Sequence, residues 1–419
     1  MSLVLSKNVH ALWKGLIAVS FIAGLSTPAH ALPSFARQTG EECTACHVGG
    51  YGPQLTLHGM KFKLGGYTDS TAASPLIPLS AMLVASASNL KTKPEDGPKT
   101  DRSIQEASVF LAGRLTSNIG SFIQATTSSA DHGRVSLDNV DVRAAKAIDL
   151  KGQDAIVGVS FNNNPTVTDP LNTVPAWRFP YMTSELTGPG SSPLLDGGLE
   201  MQVGGITAYA FVNDSIYVEL GGYSSLPDSF LNTVNVDVPD PKLNGVAPYW
   251  RLAYIKDNHK DAYSIGLVGM NASLRPTDGT GSDKYDDIGV DASYQFLGTR
   301  KHIFTANSSY IHERQTLGAT DSGNKYNLDR FDIAGSYYYD QTYGLNAGLF
   351  RINGNASDAD SNGYILQADW TPFGKEGSWG APWANVRVGL QYTGYSKFDG
   401  SSANASDNNT TYAFIWTAF

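Results

Sequence analysis

The chain has 419 residues and a formal charge of −9; only 16% of its residues are charged, whereas an ordinary globular protein is about a quarter charged. The negative charge argues against strong nucleic-acid binding, and the aromatic content of 11% argues against intrinsic disorder. Abundant glycine and tyrosine, 43 and 21 residues respectively, favour a large all-β protein.

The N-terminus has the three parts of a secretory signal peptide. Two lysines precede an apolar run at residues 15–25, and the small-residue sequence Ala29-His30-Ala31 follows. The run is too short to span a membrane comfortably as a helix. We therefore expect residues 1–31 to be removed on export, so that the mature chain starts at residue 32.

The two cysteines of the chain lie in one motif, Cys43-Thr44-Ala45-Cys46-His47. C-x-x-C-H is the attachment signature of c-type haem. Its two thiols can bond to the two vinyl groups on one porphyrin edge, and His47 can ligate the iron from the proximal side. A thioredoxin-like pair would need a βαβ setting, and a disulfide would not need the histidine. The motif predicts one covalent haem c, bound by Cys43, Cys46 and His47.

The sixth iron ligand has two candidates in the sequence, His58 and Met60, which lie 11 and 13 residues after His47. A methionine ligand would raise the reduction potential relative to a second histidine. A five-coordinate iron is the remaining alternative. The residues do not decide among the three.

The haem segment, residues 32–78, is shorter than 50 residues. A chain of that length rarely builds a sufficient core of its own, even if covalent haem supplies part of it. We therefore expect the segment to pack against the remainder of the chain.

From Leu79 onward the sequence predicts strands, because apolar and polar residues alternate with period 2. Residues 216–220 and 386–392 are examples. Alternation alone does not separate a membrane barrel from a soluble sandwich. Sixteen strand candidates lie near 79–91, 103–115, 119–128, 134–147, 153–163, 199–212, 215–225, 248–257, 260–275, 287–298, 300–314, 326–340, 343–353, 362–372, 383–397 and 409–419.

The links between these strands favour a barrel, because short and long links alternate, as in outer-membrane proteins. The last strand also ends on Phe419 after an aromatic-rich alternating run, like the insertion signal of bacterial outer-membrane barrels. The sequence predicts an all-β fold, in which residues 79–419 form an antiparallel outer-membrane β-barrel of about 16 strands. A lumen of that size holds water unless it is filled, and we expect the haem segment to lie in or at it.

The N-terminal motifs resemble a known family. They are Phe35-Ala-Arg-Gln-Thr-Gly40, the C-x-x-C-H motif, Pro53-x-Leu55 and Gly59-x-Lys61-Phe62-Lys63-Leu64-x-Gly66-Tyr67. The pattern is similar to the fused monohaem cytochrome c–porins of iron-oxidising bacteria, the outer-membrane iron oxidases. The resemblance implies that Cys43 and Cys46 bind haem c covalently and that His47 is its proximal ligand. The chain departs from the family pattern at positions 58 and 60, so the resemblance does not assign the distal ligand.

The resemblance also implies a function, the oxidation of extracellular ferrous iron. As a one-electron oxidoreductase, the protein would pass electrons through haem c to a periplasmic cytochrome or another soluble carrier. Two alternatives remain open from the sequence. The same conduit could run outward to an extracellular acceptor, or the chain could be a porin whose haem segment is a structural plug or sensor.

Overall fold

A computed structural model describes residues 33–71, 78–356, 358–380 and 383–419. The predicted signal peptide, residues 1–31, lies outside this part of the chain. Among the described residues, no helix combines the length and hydropathy of a membrane span. Most of the regular structure is β-strand.

The described residues contain four short α-helices, three of them in the N-terminal segment. Thr56 caps the third helix, since its hydroxyl accepts a 3.2 Å hydrogen bond from the Gly59 amide. The α-helices are α1 (Pro33–Thr39), α2 (Cys43–Cys46), α3 (Leu57–Leu64) and α4 (Asp228–Thr233), and short 3-10 helices lie at Val48–Gly50, Pro175–Trp177 and Ala405–Asn408.

All sixteen strands predicted from the sequence are present, with ends that differ from the prediction by at most four residues. The described chain adds one two-residue strand, β8. The strands are β1 (Leu79–Leu90), β2 (Thr100–Arg114), β3 (Ile119–Thr127), β4 (Ser136–Asp149), β5 (Asp154–Asn162), β6 (Val203–Val212), β7 (Ile216–Ser225), β8 (Lys242–Leu243), β9 (Ala247–Asp257), β10 (Asp261–Arg275), β11 (Asp283–Phe296), β12 (His302–Leu317), β13 (Asn324–Tyr339), β14 (Tyr343–Gly354), β15 (Ser361–Trp370), β16 (Asn385–Lys397) and β17 (Thr410–Ala418).

The sheet closes into a barrel because its last strand pairs with its first. Strand β1 pairs with β2 on one side and with β17 on the other, in antiparallel register from Met82 opposite Ala418 to Leu90 opposite Thr410. Strand β7 pairs directly with β9, and the short β8 pairs with the end of β10. The predicted 16-stranded antiparallel barrel is confirmed.

The strands expose their apolar side chains and bury their polar ones. In β7, Ile216, Val218 and Leu220 are exposed on the outer face, while Tyr217 and Glu219 are fully buried. A soluble sandwich would bury the apolar set instead. The reversed pattern is typical of a barrel whose outer face contacts lipid.

Short turns lie on one rim of the barrel and longer loops on the other, as predicted, with one exception. The link between β15 and β16, residues 371–384, is long although it lies on the rim of short turns. It contacts the N-terminal segment: the Gly377 amide donates a 2.9 Å hydrogen bond to Glu42, and the Arg37 guanidinium lies 5.5 Å from the Trp383 ring centroid. The long link on this rim thus packs against the N-terminal segment.

The N-terminal segment, residues 33–71, lies inside the barrel. Its hydrogen bonds reach strands on all sides of the lumen. A barrel of sixteen strands without such a filling would enclose an aqueous channel. The pairs are Gln38 with the Arg114 amide, Tyr67 with Asp141, Leu64 with Tyr209, Leu55 with Gln295, and Gly50 with Asn385.

The loop between β5 and β6, residues 163–202, also folds into the lumen. The Leu55 amide donates to the Leu171 carbonyl at 3.1 Å, and Lys63 Nζ donates to the Val167 carbonyl at 2.6 Å. The N-terminal segment and this loop therefore pack directly on each other. We call residues 163–202 the inward loop.

The far end of the inward loop is attached to the opposite wall. The Leu194 amide donates a 2.5 Å hydrogen bond to Glu313, and the Leu195 amide donates a 2.6 Å bond to Asp287. Both acceptors are carboxylates on lumen-facing strands, and such charge-assisted hydrogen bonds are among the stronger ones. The inward loop thus crosses the lumen from wall to wall.

Candidate functional site

The C-x-x-C-H motif begins with the single helical turn α2, and the chain then doubles back on it. His47 forms an isolated antiparallel bridge with Leu55, and the Thr56 amide donates a 2.9 Å hydrogen bond to the Cys46 carbonyl. These two backbone contacts hold His47 beside the cysteines.

Two glycines after the motif allow a close approach to the barrel wall. Gly49 and Gly50 both have a φ of +73°, which L side chains rarely adopt. A Cβ on Gly49 would lie 2.5 Å from the Tyr338 ring, and one on Gly50 would lie 2.3 Å from the Gly374 carbonyl oxygen. The turn that follows His47 is therefore pressed against β13 and the 371–384 link.

A cavity of about 380 Å³ opens beside the motif, and Cys46 and His47 line it. Its volume lies in the range of small-molecule and cofactor pockets. Both the N-terminal segment and the inward loop contribute to its wall. The wall is rich in aromatic side chains, namely Phe35, Phe62, Tyr67, Phe110, Phe122, Trp177, Tyr181 and Trp416.

The protonation state of the His47 imidazole suits a metal ligand. Burial is the main cause that lowers its pKa to about 4, so the imidazole is neutral at physiological pH. Its Nδ1 is buried and makes no hydrogen bond within the described part of the chain. A neutral imidazole is the form that coordinates metals, and one side of the ring already faces the cavity.

No disulfide joins Cys43 and Cys46, both of which the structure describes. Burial, followed by the negative charge of Glu41, raises the pKa of the Cys46 thiol to about 12. A redox-active cysteine pair needs a lowered thiol pKa instead. This environment disfavours the thioredoxin-like alternative, and the all-β barrel lacks the βαβ setting which that alternative needs.

The two candidate distal ligands, His58 and Met60, lie outside the lining of this cavity. Met60, only 1% exposed, packs in an apolar cluster with Tyr209 and Tyr217 of the barrel wall. His58 is half exposed and makes a 2.5 Å hydrogen bond to Glu41. Neither side chain, although the structure describes both, is among those that line the cavity.

His58 belongs instead to a small group of possible metal ligands. Ligand atoms of Glu41, Cys46 and His58 all lie within 4.8 Å of one another. The group competes with haem for Cys46, since a thioether sulfur is no longer a thiolate ligand. Metal analysis of the purified protein separates the two uses.

Two methionines that sequence reasoning missed do line the cavity, Met82 on β1 and Met182 in the inward loop. Both pack near Tyr51 and Trp416. Nothing in the local sequence marks them, because a lone methionine on a strand or in a loop resembles ordinary packing. Only the inward fold of residues 163–202 brings Met182 to the site.

These residues fit a covalently bound haem c. The cavity borders Cys46 and His47, its walls are largely aromatic, and the His47 imidazole is neutral. Cys43 and Cys46 would form the thioethers and His47 would provide the proximal nitrogen.

Comparison with known proteins supports the fold. No protein-family model matches the sequence, and no curated protein matches it. Among solved structures, the chain is similar to the anion-selective porin from Comamonas acidovorans, at 11% identity and a TM-score of 0.50, over 81% of this chain and 98% of that one. It is also similar to the trimer form of OmpT from Vibrio cholerae, at 13% identity and a TM-score of 0.46, over 81% and 98% of the two chains. At 11% identity, the likeness to the Comamonas acidovorans porin shows the fold alone, a porin-type barrel.

Proposed function

We propose that the protein resides in the outer membrane and carries single electrons from extracellular ferrous iron to a periplasmic carrier. One observation carries the proposal: the C-x-x-C-H motif opens into an aromatic-walled cavity enclosed by the barrel lumen. An outer membrane blocks electrons as it blocks polar solutes. A redox cofactor at this point would lie inside that barrier.

The chain's own residues have distinct roles in this proposal. Cys43 and Cys46 hold the cofactor, and His47 ligates it. Haem c supplies a reversible one-electron couple when bound. Aromatic side chains such as Phe122 and Trp177 line the cavity and would exclude water from a cofactor bound there.

The position of the motif suits delivery to the periplasm. Arg300, in the short link between β11 and β12, donates a 2.7 Å hydrogen bond to the Thr44 carbonyl. Short turns of outer-membrane barrels face the periplasm. The motif therefore lies close to the rim at which a soluble periplasmic cytochrome would dock.

Ferrous iron is proposed as the donor for two reasons. The first is the resemblance of residues 35–67 to the iron-oxidising family, and the second is stoichiometry. One haem accepts one electron, and ferrous iron gives up one electron as it becomes ferric. Carboxylates such as Asp278 and Asp358 are exposed on the opposite rim, and hard oxygen ligands of this kind attract metal cations.

The test uses the purified full-length protein. Covalent haem is measured as chain-bound absorbance after denaturation, and ferrous iron is then added without oxygen. We expect the visible bands of reduced haem c to appear. The Cys43→Ser/Cys46→Ser double variant should lose covalent haem, whereas Ala45→Ser, at a variable position of the motif, should keep it.

The outcomes separate the parts of the proposal. If the wild-type chain has no covalent haem, the electron-transfer function fails. If haem is present but ferrous iron never reduces it at any pH tested, ferrous iron is not the donor. Zinc instead of haem iron in the purified protein would favour the Glu41, Cys46 and His58 group.

A second candidate function is a porin-type barrel with a structural plug. The filled lumen favours it, because residues 33–71 and the inward loop both occupy the space of a channel. A plug needs no redox cofactor. Reduction by ferrous iron therefore separates the two functions.

A further inference from the structure

The cavity beside the C-x-x-C-H motif offers few side chains that could be a second iron ligand. Haem iron in proteins takes its axial ligands from histidine, methionine, cysteine or tyrosine. Apart from Cys46 and His47, the described residues that line the cavity include five side chains of these types, namely Tyr51, Tyr67, Met82, Tyr181 and Met182. The choice among them depends on which side chain has an atom free to bind the iron.

The three tyrosines are unsuited, because a tyrosine binds iron as its phenolate. Burial is the main cause that raises the pKa of Tyr51, Tyr67 and Tyr181 well above the usual range, so each hydroxyl keeps its proton. The Tyr67 hydroxyl is also engaged, since it donates a 2.6 Å hydrogen bond to Asp141. The two methionines remain.

Lys63 also lines the cavity, and a neutral amine could bind iron. Its Nζ atom donates hydrogen bonds of 2.6 and 2.8 Å to the Val167 and Asp169 carbonyls, and it donates one of 2.6 Å to Asn172 Oδ1. An ammonium group has three donors and no acceptor, so these three bonds use all of them. Lys63 therefore holds the inward loop and leaves the iron to another residue.

The two methionines differ in how firmly they are held. Met82 lies on β1 between Ala418 of β17 and Ser108 of β2, and its side chain is only 8% exposed within an apolar cluster. Met182 lies in the inward loop, is only partly buried, and packs against the same cluster. A methionine side chain has three rotatable bonds, so a partly free one can turn its sulfur toward a metal. Met182 has this freedom to a greater degree than Met82.

Met182 lies near the turn that follows His47. It packs against the cluster that contains Tyr51, four residues after His47. The hydroxyl of its neighbour Tyr181 lies 3.5 Å from Gln54 Oε1, and Gln54 belongs to the segment that doubles back on His47. The inward loop thus brings a methionine to the same small cavity that the proximal histidine lines.

Two glutamine side chains of the barrel hold the backbone at this point of the loop. Gln391 on β16 donates a 2.9 Å hydrogen bond to the Met182 carbonyl, and Gln105 on β2 donates one of 2.8 Å to the Thr183 carbonyl. The barrel wall therefore sets the position of the main chain, while the Met182 side chain stays free of such bonds. A metal ligand needs this combination of a fixed backbone and an available sulfur.

We propose that Met182 is the distal ligand of the haem iron, with its Sδ atom bound on the side opposite His47. The inference rests on the proposed function, since haem is the cofactor assigned there. A methionine ligand raises the reduction potential relative to a second histidine, which favours acceptance of an electron from outside. Ligation would also tie the inward loop to the N-terminal segment.

The test uses the purified full-length protein with its covalent haem. Met182→Leu conserves the side-chain volume but removes the sulfur. We expect visible and magnetic circular dichroism spectra of the ferric protein to change from low-spin to high-spin. We also expect the ferrous-to-ferric ratio at a fixed potential to fall at least tenfold, which is a shift of about 59 mV for a one-electron couple.

Met82→Leu is the matched control, because it makes the same change at the other methionine of the cavity. It should leave both the spectra and the potential unchanged. Met182→His replaces the sulfur with an imidazole, and we expect it to keep the low-spin spectrum at a lower potential. Heat-modifiable migration on electrophoresis reports whether each barrel has folded. If Met182→Leu does not fold, Met182→Ala replaces it in the same measurements.

The failures are distinguishable. A wild-type protein without covalent haem overturns the proposed function and this inference with it. A wild-type protein whose haem is high-spin, or a Met182→Leu variant that stays low-spin, overturns only the inference. Loss of the low-spin spectrum in Met82→Leu alone would also contradict it, because Met82 would then be the ligand.

Discussion

The side-chain amide of Asn385 on β16 donates a 2.9 Å hydrogen bond to the carbonyl oxygen of Gly50, three residues after His47. The same glycine is pressed against Gly374 in the link that precedes β16. One strand and its preceding link thus hold the turn that follows the C-x-x-C-H motif.

The close approach at Gly50 predicts that Gly50→Ala is damaging. The new Cβ would lie 2.3 Å from the Gly374 carbonyl oxygen, and the φ of +73° is itself unfavourable for alanine. We expect the local unfolding free energy of residues 48–55 to fall by roughly 2 kcal/mol or more, with a lower covalent haem yield. Amide hydrogen exchange measures the first effect and chain-bound absorbance the second.

Gly133→Ala is the matched control. Gly133 has a φ of +87°, but a Cβ there would meet no atom within 4 Å. It therefore has the backbone penalty alone, about 1 kcal/mol, and should not change haem yield. Equal effects of the two substitutions would show that the contact with Gly374 is unimportant.

Lys63 predicts a pH dependence of the N-terminal segment. Burial, with a smaller contribution from Arg143, lowers its pKa from 10.5 to about 7. Between pH 7 and 10.5 the folded segment has released the proton while the unfolded chain still binds it, so folding stability rises with pH. We expect a slope of at most about 1.4 kcal/mol per pH unit in the hydrogen-exchange stability of α3.

Lys63→Met should abolish this slope, and Lys61→Met should preserve it. Lys61 lies in the same helix but is exposed and pairs with Asp214 at 2.8 Å. Lys63 Nζ also donates to the Asn172 side chain at 2.6 Å, so its replacement should loosen the inward loop as well. A slope that survives in Lys63→Met would assign the titration to another group.

The positions of His58 and Met60 predict that neither determines the spin state of the haem. His58→Ala breaks the bond to Glu41 outside the cavity. Met60→Leu is a volume-conserving change in an apolar cluster and should cost less than about 1.5 kcal/mol. Visible and magnetic circular dichroism spectra measure the outcome. Loss of low-spin character in one variant would make that residue the distal ligand.

The filled lumen predicts that the wild-type barrel barely conducts solutes. In liposome-swelling assays we expect almost no sugar uptake. Asp287→Ala/Glu313→Ala removes the acceptors of Leu195 and Leu194 and should raise uptake by freeing the far end of the inward loop.

The control for this measurement is Asp286→Ala. Asp286 neighbours Asp287 on β11 but is exposed, and it accepts a 2.6 Å hydrogen bond from Asn271. Its replacement should leave the swelling rate unchanged. Rapid swelling with the wild-type protein would contradict a closed lumen and favour an open porin.

The strands could be predicted from the sequence because their signal is local. Alternation such as that of residues 216–220 depends only on which face each side chain takes, and the structure confirms it. The long link at 371–384 broke the alternation of link lengths. That link contacts Glu42 and Arg37, which lie more than 300 positions away in the sequence, so no local pattern indicates it.

The inward course of residues 163–202 could not be predicted in the same way. Nothing within residues 163–202 indicates that the loop turns inward, because its anchors, Lys63, Asp287 and Glu313, lie on distant parts of the chain.

The wall-to-wall filling of the lumen affects how many copies a cell can tolerate. An open pore dissipates gradients and admits toxic solutes, so every added copy has a physiological cost. A barrel occupied by its own residues 33–71 and 163–202 adds no such leak. Its abundance is then limited by membrane area and by the supply of folded protein.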